Sequence, residues 1–154
     1  MARFRTELVV PAPAEAAWGL VTDWAAQSRW IPLTTVTVDH LPPSGPGIGT
    51  RFTGRSRLGP LHFDDPMEVT EWQPPAGAEP GRCRIRKRGP WLTGWAEIIV
   101  TGDAPAGGSR VSWIEDIRPR WTPRLADPVV AAVGSVFFGR VLRKMAAEFA
   151  RSRP

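Results

Sequence analysis

The chain has 154 residues, of which 42% are hydrophobic and 23% charged, and we predict a single folded domain over residues 1–154. This composition excludes wholesale disorder, and the formal charge of +5 concerns solubility and partners rather than fold. The single cysteine, Cys83, excludes an internal disulfide, and with only two histidines it also excludes a zinc site of Cys and His ligands. A metal site made of carboxylates alone stays open but has no motif behind it, so we expect no metal and no cofactor.

The N-terminal segment combines a strand with two short helices. Residues 3–10 alternate between polar and apolar side chains, which predicts a half-buried strand ended by two prolines. A short helix is predicted over 14–22. Asp23 is typical of the residue that caps a second short helix, over 24–30, which Pro32 ends.

Six strands follow, separated by turns rich in proline and glycine. The turns are short and join neighbouring strands directly, which predicts antiparallel pairing. Pro66 lies inside the third strand of this group, and since proline donates no ladder hydrogen bond, we expect a bulge or a sheet edge there. The predicted strands are 34–41, 49–57, 61–73, 82–88, 95–101 and 110–118.

The C-terminal segment has the strongest helical pattern in the sequence. Asp127 followed by Pro128 is typical of a helix start. Beyond them, apolar residues recur three or four positions apart, and basic residues occupy the other side. The predicted apolar stripe consists of Val130, Val133, Phe137, Val141, Met145 and Phe149, widened by Val129, Val136, Leu142 and Ala146.

Targeting and membrane signals are weak. Glu7 and the short apolar run 8–10 do not fit a signal peptide. The longest apolar stretch, 129–138, is interrupted by Gly134 and is shorter than the roughly 20 residues that span a bilayer. We therefore expect a cytoplasmic protein without an integral membrane segment, either a monomer or a homodimer.

The order of elements predicts an α+β fold with an internal cavity. A curved seven-stranded antiparallel sheet would carry the long C-terminal helix on one face, with two short helices after the first strand. Alternation places Asp65 and Glu115 on the inward face of their strands. A dry core would penalise each unpaired carboxylate by several kcal/mol, so the pair predicts a wet or ligand-filled cavity. The alternative is that Glu115 pairs with an arginine such as Arg55, or that a bulge turns it outward.

Short stretches along the whole chain resemble a known superfamily. They are Ala12-Pro13, Trp18, Asp23 with Trp30-Ile31-Pro32, Gly47-Ile48-Gly49-Thr50-Arg51, Val69-Thr70-Glu71-Trp72 with Pro74-Pro75, and Arg110-Val111-Ser112-Trp113. This pattern is similar to the START/SRPBCC superfamily, in particular its polyketide cyclase/dehydrase-like branch. The resemblance implies a helix-grip fold, in which the curved sheet wraps around the long helix and leaves an apolar cavity between them. Members include aromatase/cyclases, lipid carriers and hormone receptors.

We predict that the cavity binds a small hydrophobic ligand, which is aromatic, polyketide-like or lipid-like. The eight tryptophans favour this, because indoles make flat apolar walls. The alternative is a cyclase/dehydratase-type enzyme without metal or covalent intermediate, in which Asp65 or Glu115 acts as acid–base. His40 and His62 are further acid–base candidates, although each fits a histidine at a strand end near solvent. The predicted ligand-binding residues are Trp30, Phe52, Arg55, Phe63, Met67, Ile85, Trp95, Trp113, Val133 and Phe137.

A third hypothesis concerns basic residues on the surface. Arg82, Arg84, Arg86 and Arg88, with Lys87 beside them, form a basic ribbon that would suit RNA or an anionic membrane. The simpler interpretation is a solvated outer sheet face, since no aromatic residues alternate with the ribbon, so we do not expect nucleic-acid binding. The basic side of the C-terminal helix is interpreted in the same way.

Overall fold

The computed structural model describes residues 2–151, and within them seven strands form one antiparallel sheet. The order of strands in the sheet is β1-β7-β6-β5-β4-β3-β2, so β2 to β7 each pair with their neighbours in sequence, as the short turns predict. The strands are β1 (Ala2–Val10), β2 (Thr34–His40), β3 (Arg51–Leu58), β4 (Leu61–Gln73), β5 (Gly81–Lys87), β6 (Leu92–Ala104) and β7 (Gly108–Pro119).

The helices lie where the sequence predicts them. They are α1 (Ala14–Val21) and the long C-terminal α2 (Asp127–Arg151). The second short helix is a 3-10 helix, Ala25–Arg29, and Asp23 Oδ1 accepts a hydrogen bond from the backbone N–H of Ala26 at 3.1 Å. Further 3-10 turns lie at Pro105–Gly107 and Arg124–Ala126. The curved sheet and the long helix together confirm the predicted helix-grip fold.

The core fills part of the space between the sheet and the helices. Inward side chains of the central strands, such as Ile85 and Ile98, are fully buried. Trp24, from the turn after α1, stacks on Phe52 of β3 with ring centroids 4.4 Å apart. The segment after α1 therefore closes one side of the concave sheet.

Pro66 does not interrupt the alternation of β4. Asp65 and Met67 on either side of it both face inward, where they line the same cavity. β4 pairs with β5 only from Met67 onward, so the proline sits just beyond the paired region on that side. The register shift in β4 falls between Val69 and Glu71 rather than at the proline.

The strand β5 corrects the predicted basic ribbon. Lys87 shares its face with Cys83 and Ile85, and it is buried. The arginines of the ribbon face outward, and three of them lie near carboxylates of β4 and β6. These ion pairs are Arg82–Glu97 at 2.7 Å, Arg84–Glu71 at 3.7 Å and Arg88–Glu68 at 2.7 Å.

The first half of α2 packs along a different line from the predicted stripe. A Cβ atom on Gly134 would lie 2.4 Å from the Phe4 ring, so glycine lets the helix backbone sit directly on that ring. Phe138, one turn later, packs against Phe4 at 5.7 Å and Trp113 at 5.4 Å between ring centroids. Val133, which the sequence placed in the stripe, is therefore 64% exposed.

In the second half of α2 one face is buried as predicted, through Val141, Leu142 and Met145. By length and composition, the segment Arg124–Arg151 is apolar enough to cross a membrane, and only 11% of its most apolar 18-residue window is buried. The prediction from sequence considered only the longest apolar stretch, 129–138, whereas the average hydropathy over an 18-residue window of the helix meets the criterion for a membrane span. The buried face of its second half makes the helix part of the folded domain.

Candidate functional site: a cavity with a buried ionic cluster

A cavity of about 190 Å³ lies between the inner face of the sheet and α2. Side chains from β2 to β7, from the 3-10 helix region and from α2 form its wall. Most of the wall is apolar, and aromatic rings make up a large part of it. The aromatic residues are Trp24, Phe52, Phe63, Trp113, Phe137 and Phe138.

The structure brings together most of the residues predicted for the site. Those that line the cavity are Phe52, Phe63, Asp65, Met67, Ile85, Trp113, Glu115 and Phe137. Those that lie elsewhere are Trp30, Arg55, Trp95 and Val133.

Trp30 and Arg55 are held away from the cavity by polar partners. The Trp30 indole N–H donates to Glu148 Oε2 at 2.6 Å, which ties the 3-10 helix region to the end of α2. Arg55 projects from the outer face of β3 and pairs with Asp64 at 2.7 Å. Arg55 is therefore not the partner of Glu115.

Trp95 and Val133 face the outside of the protein. The alternation of β6 turns Ala96 into the cavity and Trp95 outward, where its ring lies 4.9 Å from the Arg84 guanidinium and 5.4 Å from that of Arg3. Val133 is turned outward by the packing of Gly134 on Phe4.

Three ionisable side chains, Asp65, Lys87 and Glu115, form an ionic cluster in the cavity wall. Lys87 Nζ lies 2.5 Å from Asp65 Oδ2, and the two side chains are 4% and 13% exposed. Glu115 is 2% exposed, and its Oε1 accepts a hydrogen bond from the Trp113 indole N–H at 3.0 Å. Alternation thus placed both carboxylates correctly, and an inward lysine compensates their charge.

Burial and mutual charge set the protonation of the cluster. Burial raises the pKa of Glu115 above its ordinary value of 4.5, against the opposing effects of the Lys87 charge and the Trp113 hydrogen bond. For Lys87, burial alone lowers the pKa, but the charges of Glu115 and Asp65 and the hydrogen bond to Asp65 outweigh it and raise the pKa. Lys87 therefore remains an ammonium group that donates hydrogen bonds, and it is a poor nucleophile.

Two buried polar atoms on cavity-lining residues are left without a hydrogen-bond partner among residues 2–151. They are Asp65 Oδ1, an acceptor, and Trp24 Nε1, a donor. Buried polar groups in folded proteins are nearly always hydrogen-bonded. A ligand hydroxyl would donate to Asp65 Oδ1, and a ligand hydroxyl or carbonyl oxygen would accept from Trp24 Nε1, whereas a pure hydrocarbon would satisfy neither atom.

The sequence reasoning missed Lys87, Phe138 and Trp24 as cavity residues. For Lys87 the signal was present, since it alternates in step with Cys83 and Ile85 along β5. For Phe138 and Trp24 the signal was absent, because their positions depend on how helices pack on the sheet.

Other reactive side chains lie away from this cavity. His40 and His62 are exposed, so they do not take part in the cluster. Cys83 is buried, and burial raises the pKa of its thiol to about 12. In the part of the chain that the structure covers, no group of three His, Cys, Asp or Glu side chains is arranged to hold a metal.

Residues 1–151 match the family described as polyketide cyclase / dehydrase and lipid transport. The chain belongs to this family. The resemblance seen in the sequence is thereby confirmed over essentially its whole length. No protein among the curated ones compared matches the sequence significantly.

Solved structures share the fold of this family member at low sequence identity. TTHA0849 from Thermus thermophilus is 16% identical with a TM-score of 0.75, over 98% of this chain and 99% of that one. The Zhui aromatase/cyclase from Streptomyces sp. R1128 is 15% identical with a TM-score of 0.67, over 97% and 93%. CV1439 from Chromobacterium violaceum is 19% identical with a TM-score of 0.64, over 95% of each chain. At these identities the likeness shows the fold.

Proposed function

We propose that this protein binds a small hydrophobic ligand, aromatic, polyketide-like or lipid-like, in the cavity between the sheet and α2. The observation that carries the proposal is an apolar cavity of about 190 Å³ with an ionic cluster in its wall. An apolar cavity of about 150 Å³ is large enough to take up benzene, so this one has room for a ring system. A single buried thiol fits the cytoplasmic location expected from the sequence.

The ionic cluster orients the ligand in this proposal. The Lys87 ammonium donates to an oxygen of the ligand, and Asp65 Oδ1 accepts from a ligand hydroxyl. A hydrogen bond to a charged group contributes about 1.5–3 kcal/mol, which corresponds to tenfold or more in affinity. The preferred ligand is therefore an aromatic or lipid-like molecule that carries at least one hydroxyl or carbonyl group.

Two probes that differ by one hydroxyl test this proposal. Titration by fluorescence or calorimetry should show binding of both naphthalene and 2-naphthol, with 2-naphthol bound about tenfold more tightly. Ala96 lines the cavity, so Ala96→Leu should weaken both probes because it fills the space. Ala147→Leu adds the same carbons on the exposed side of α2 and serves as the control. Absence of binding for both probes, together with no co-purifying ligand in native mass spectrometry, would contradict the proposal.

A separate set of variants tests whether the ionic cluster recognises the hydroxyl group of 2-naphthol. Lys87→Met should abolish the preference for 2-naphthol while naphthalene still binds. Asp65→Asn, a smaller change in the same cluster, should reduce that preference. Arg86→Met, on the outer face of the same strand, is the matched control and should leave the preference unchanged. A preference that survives both cluster variants would mean that the hydroxyl is recognised elsewhere.

The second candidate function is a cyclase/dehydratase-type enzyme, and the raised pKa of Glu115 in an apolar cavity favours it. A carboxyl with a raised pKa keeps its proton to a higher pH than an ordinary one and can transfer it to a bound carbonyl compound. With a synthetic poly-β-ketone as substrate, Glu115→Gln or Asp65→Asn should abolish turnover while ligand affinity survives. Turnover equal to that of the unmodified protein in both variants would eliminate this function.

A further inference from the structure

The exposed apolar residues are concentrated on one part of the protein. Thirteen large hydrophobic residues are exposed in the region described, and seven of them lie in the loop before β6 or between residues 121 and 137. Their exposed fractions run from 36% to 94%. We name them the apolar face; they are Trp91, Trp121, Leu125, Val129, Val133, Val136 and Phe137.

The apolar face is continuous with the wall of the cavity. Phe137 lines the cavity on one side and an outer hollow of α2, with Val133 and Val136, on the other. Trp121 lies edge-on to the cavity residue Phe63 at 5.9 Å between ring centroids, and Trp91 follows at 6.2 Å. Aromatic rings thus lead from the cavity wall to the surface.

The whole excess of positive charge is carried by the same part of the chain. Residues 118–151 hold seven of the 20 basic residues and two of the 15 acidic ones, so the remaining thirteen of each sign cancel. Both acidic residues of the segment are engaged, Asp127 with Arg118 at 3.8 Å and Glu148 with Arg29 at 3.0 Å. Arg120, Arg124 and Arg140 are exposed beside the apolar face.

We propose that the apolar face docks on an anionic lipid bilayer. Exposed tryptophan and aliphatic side chains favour the boundary between headgroups and acyl chains, and neighbouring arginines favour anionic phosphates. Only 11% of the most apolar 18-residue window of Arg124–Arg151 is buried, so its apolar side chains are available to the hydrocarbon of a bilayer. α2 lies on the bilayer rather than across it, because Val141, Leu142 and Met145 belong to the core.

The same observations disfavour other occupants. A second copy of the chain would bring two surfaces of equal positive charge together. A nucleic acid would match the charge but would leave Leu125 and Val133 exposed to its phosphates. Docking does not require the proposed function, but if both hold, the aromatic path from the cavity opens toward the membrane.

Co-sedimentation with vesicles tests the docking. Vesicles of phosphatidylcholine and phosphatidylglycerol in a two-to-one ratio should bind the protein, and vesicles of phosphatidylcholine alone should bind it much more weakly. Binding should weaken with added salt, and the tryptophan emission should shift to the blue as Trp91 and Trp121 leave water.

Two matched pairs of variants locate the contact. Val133→Ser with Val136→Ser should reduce vesicle affinity about tenfold, whereas Leu41→Ser with Ile48→Ser, exposed outside the apolar face, should not. Arg124→Gln with Arg140→Gln should also reduce it about tenfold, whereas Arg57→Gln with Arg86→Gln removes the same charge elsewhere and should change it little. Circular dichroism checks that each variant is folded.

Several results would overturn the docking proposal. They are no binding to anionic vesicles, equal binding to both kinds of vesicle, or equal losses in test and control variants. A concentration-dependent dimer that the Val133/Val136 variant abolishes, in a protein that ignores vesicles, would assign the face to a second copy. Binding of the naphthalene probes in the absence of vesicle binding would leave the cavity function intact and refute docking alone.

Discussion

Asp65, Lys87 and Glu115 hold charge inside an apolar wall because the Lys87 ammonium attracts both carboxylates, which in turn stabilise its charge. Loss of one partner from a buried ion pair costs about 3–5 kcal/mol, since it leaves an uncompensated charge. The Arg55–Asp64 pair is equally close, at 2.7 Å, but solvent screens it. Position in the fold, rather than distance, therefore decides which ion pair matters for stability and for ligand recognition.

Glu115→Gln should change how stability depends on pH. Because folding raises the Glu115 pKa, the folded protein holds this proton more tightly than the unfolded chain. Its contribution to the unfolding free energy is complete below the ordinary value of 4.5 and is lost as pH rises through the raised value. Urea unfolding across that range should show a decline in the unmodified protein that the variant lacks, while both keep an acceptor for Trp113. Parallel stability profiles would show that Glu115 titrates normally.

At the scale of elements, local patterns in the sequence predict the strands and the ends of the helices well. Strands follow a two-residue period, and proline or glycine marks their turns, so the antiparallel order and the inward positions of Asp65 and Glu115 follow from local rules. The face of α2 that packs on the sheet could not be predicted from local rules, because Gly134 has no side chain and so gives no hydrophobic signal in the sequence. Its close approach to Phe4 is a long-range event, and it rotates the contact line from Val133 and Phe137 toward Phe138.

Gly134→Ala and Gly139→Ala should have opposite effects on stability. Alanine in a helix interior is favoured over glycine by about 1 kcal/mol. At Gly139 the new Cβ would lie 3.5 Å from Thr6 Cγ2, an ordinary contact, so the gain should be kept. At Gly134 it would lie 2.4 Å from the buried Phe4 ring, so the helix must move and the protein should lose about 1–3 kcal/mol. Thermal and urea unfolding measure both, and a stabilising Gly134→Ala would refute this account of helix placement.

At the scale of the whole molecule, the cavity depends on how separate elements meet. Trp24, Phe52 and Phe138 come from three parts of the chain, and their meeting closes the wall. Of these three, only Phe52 was predicted from local rules. The position of Trp24 depends on how the turn after α1 packs on the sheet, and that of Phe138 depends on how α2 packs. The existence of a cavity was predictable from the inward carboxylates, whereas the set of residues around it was only partly so.

Cys83 should report on opening of the whole sheet. It is fully buried in β5, the fourth and central strand in the spatial order of the sheet, and burial raises its thiol pKa to about 12. Labelling by a thiol reagent such as Ellman's should therefore be very slow in native buffer and should accelerate in urea in parallel with unfolding. The chain has one cysteine, so the signal belongs to a single site. Labelling in native buffer at the rate of a free thiol would mean that the sheet opens locally at β5.

The uneven distribution of charge gives the protein a permanent electric dipole. Thirteen positive and thirteen negative charges cancel over the rest of the chain, and the surplus of five resides in residues 118–151, which comprise the end of β7, the loop after it and α2. Near a charged plane such a body experiences a torque within about one Debye length, roughly 8 Å at physiological ionic strength. The protein is therefore oriented before it makes contact with a negatively charged surface. The side that carries the aromatic residues at the edge of the cavity faces that surface first.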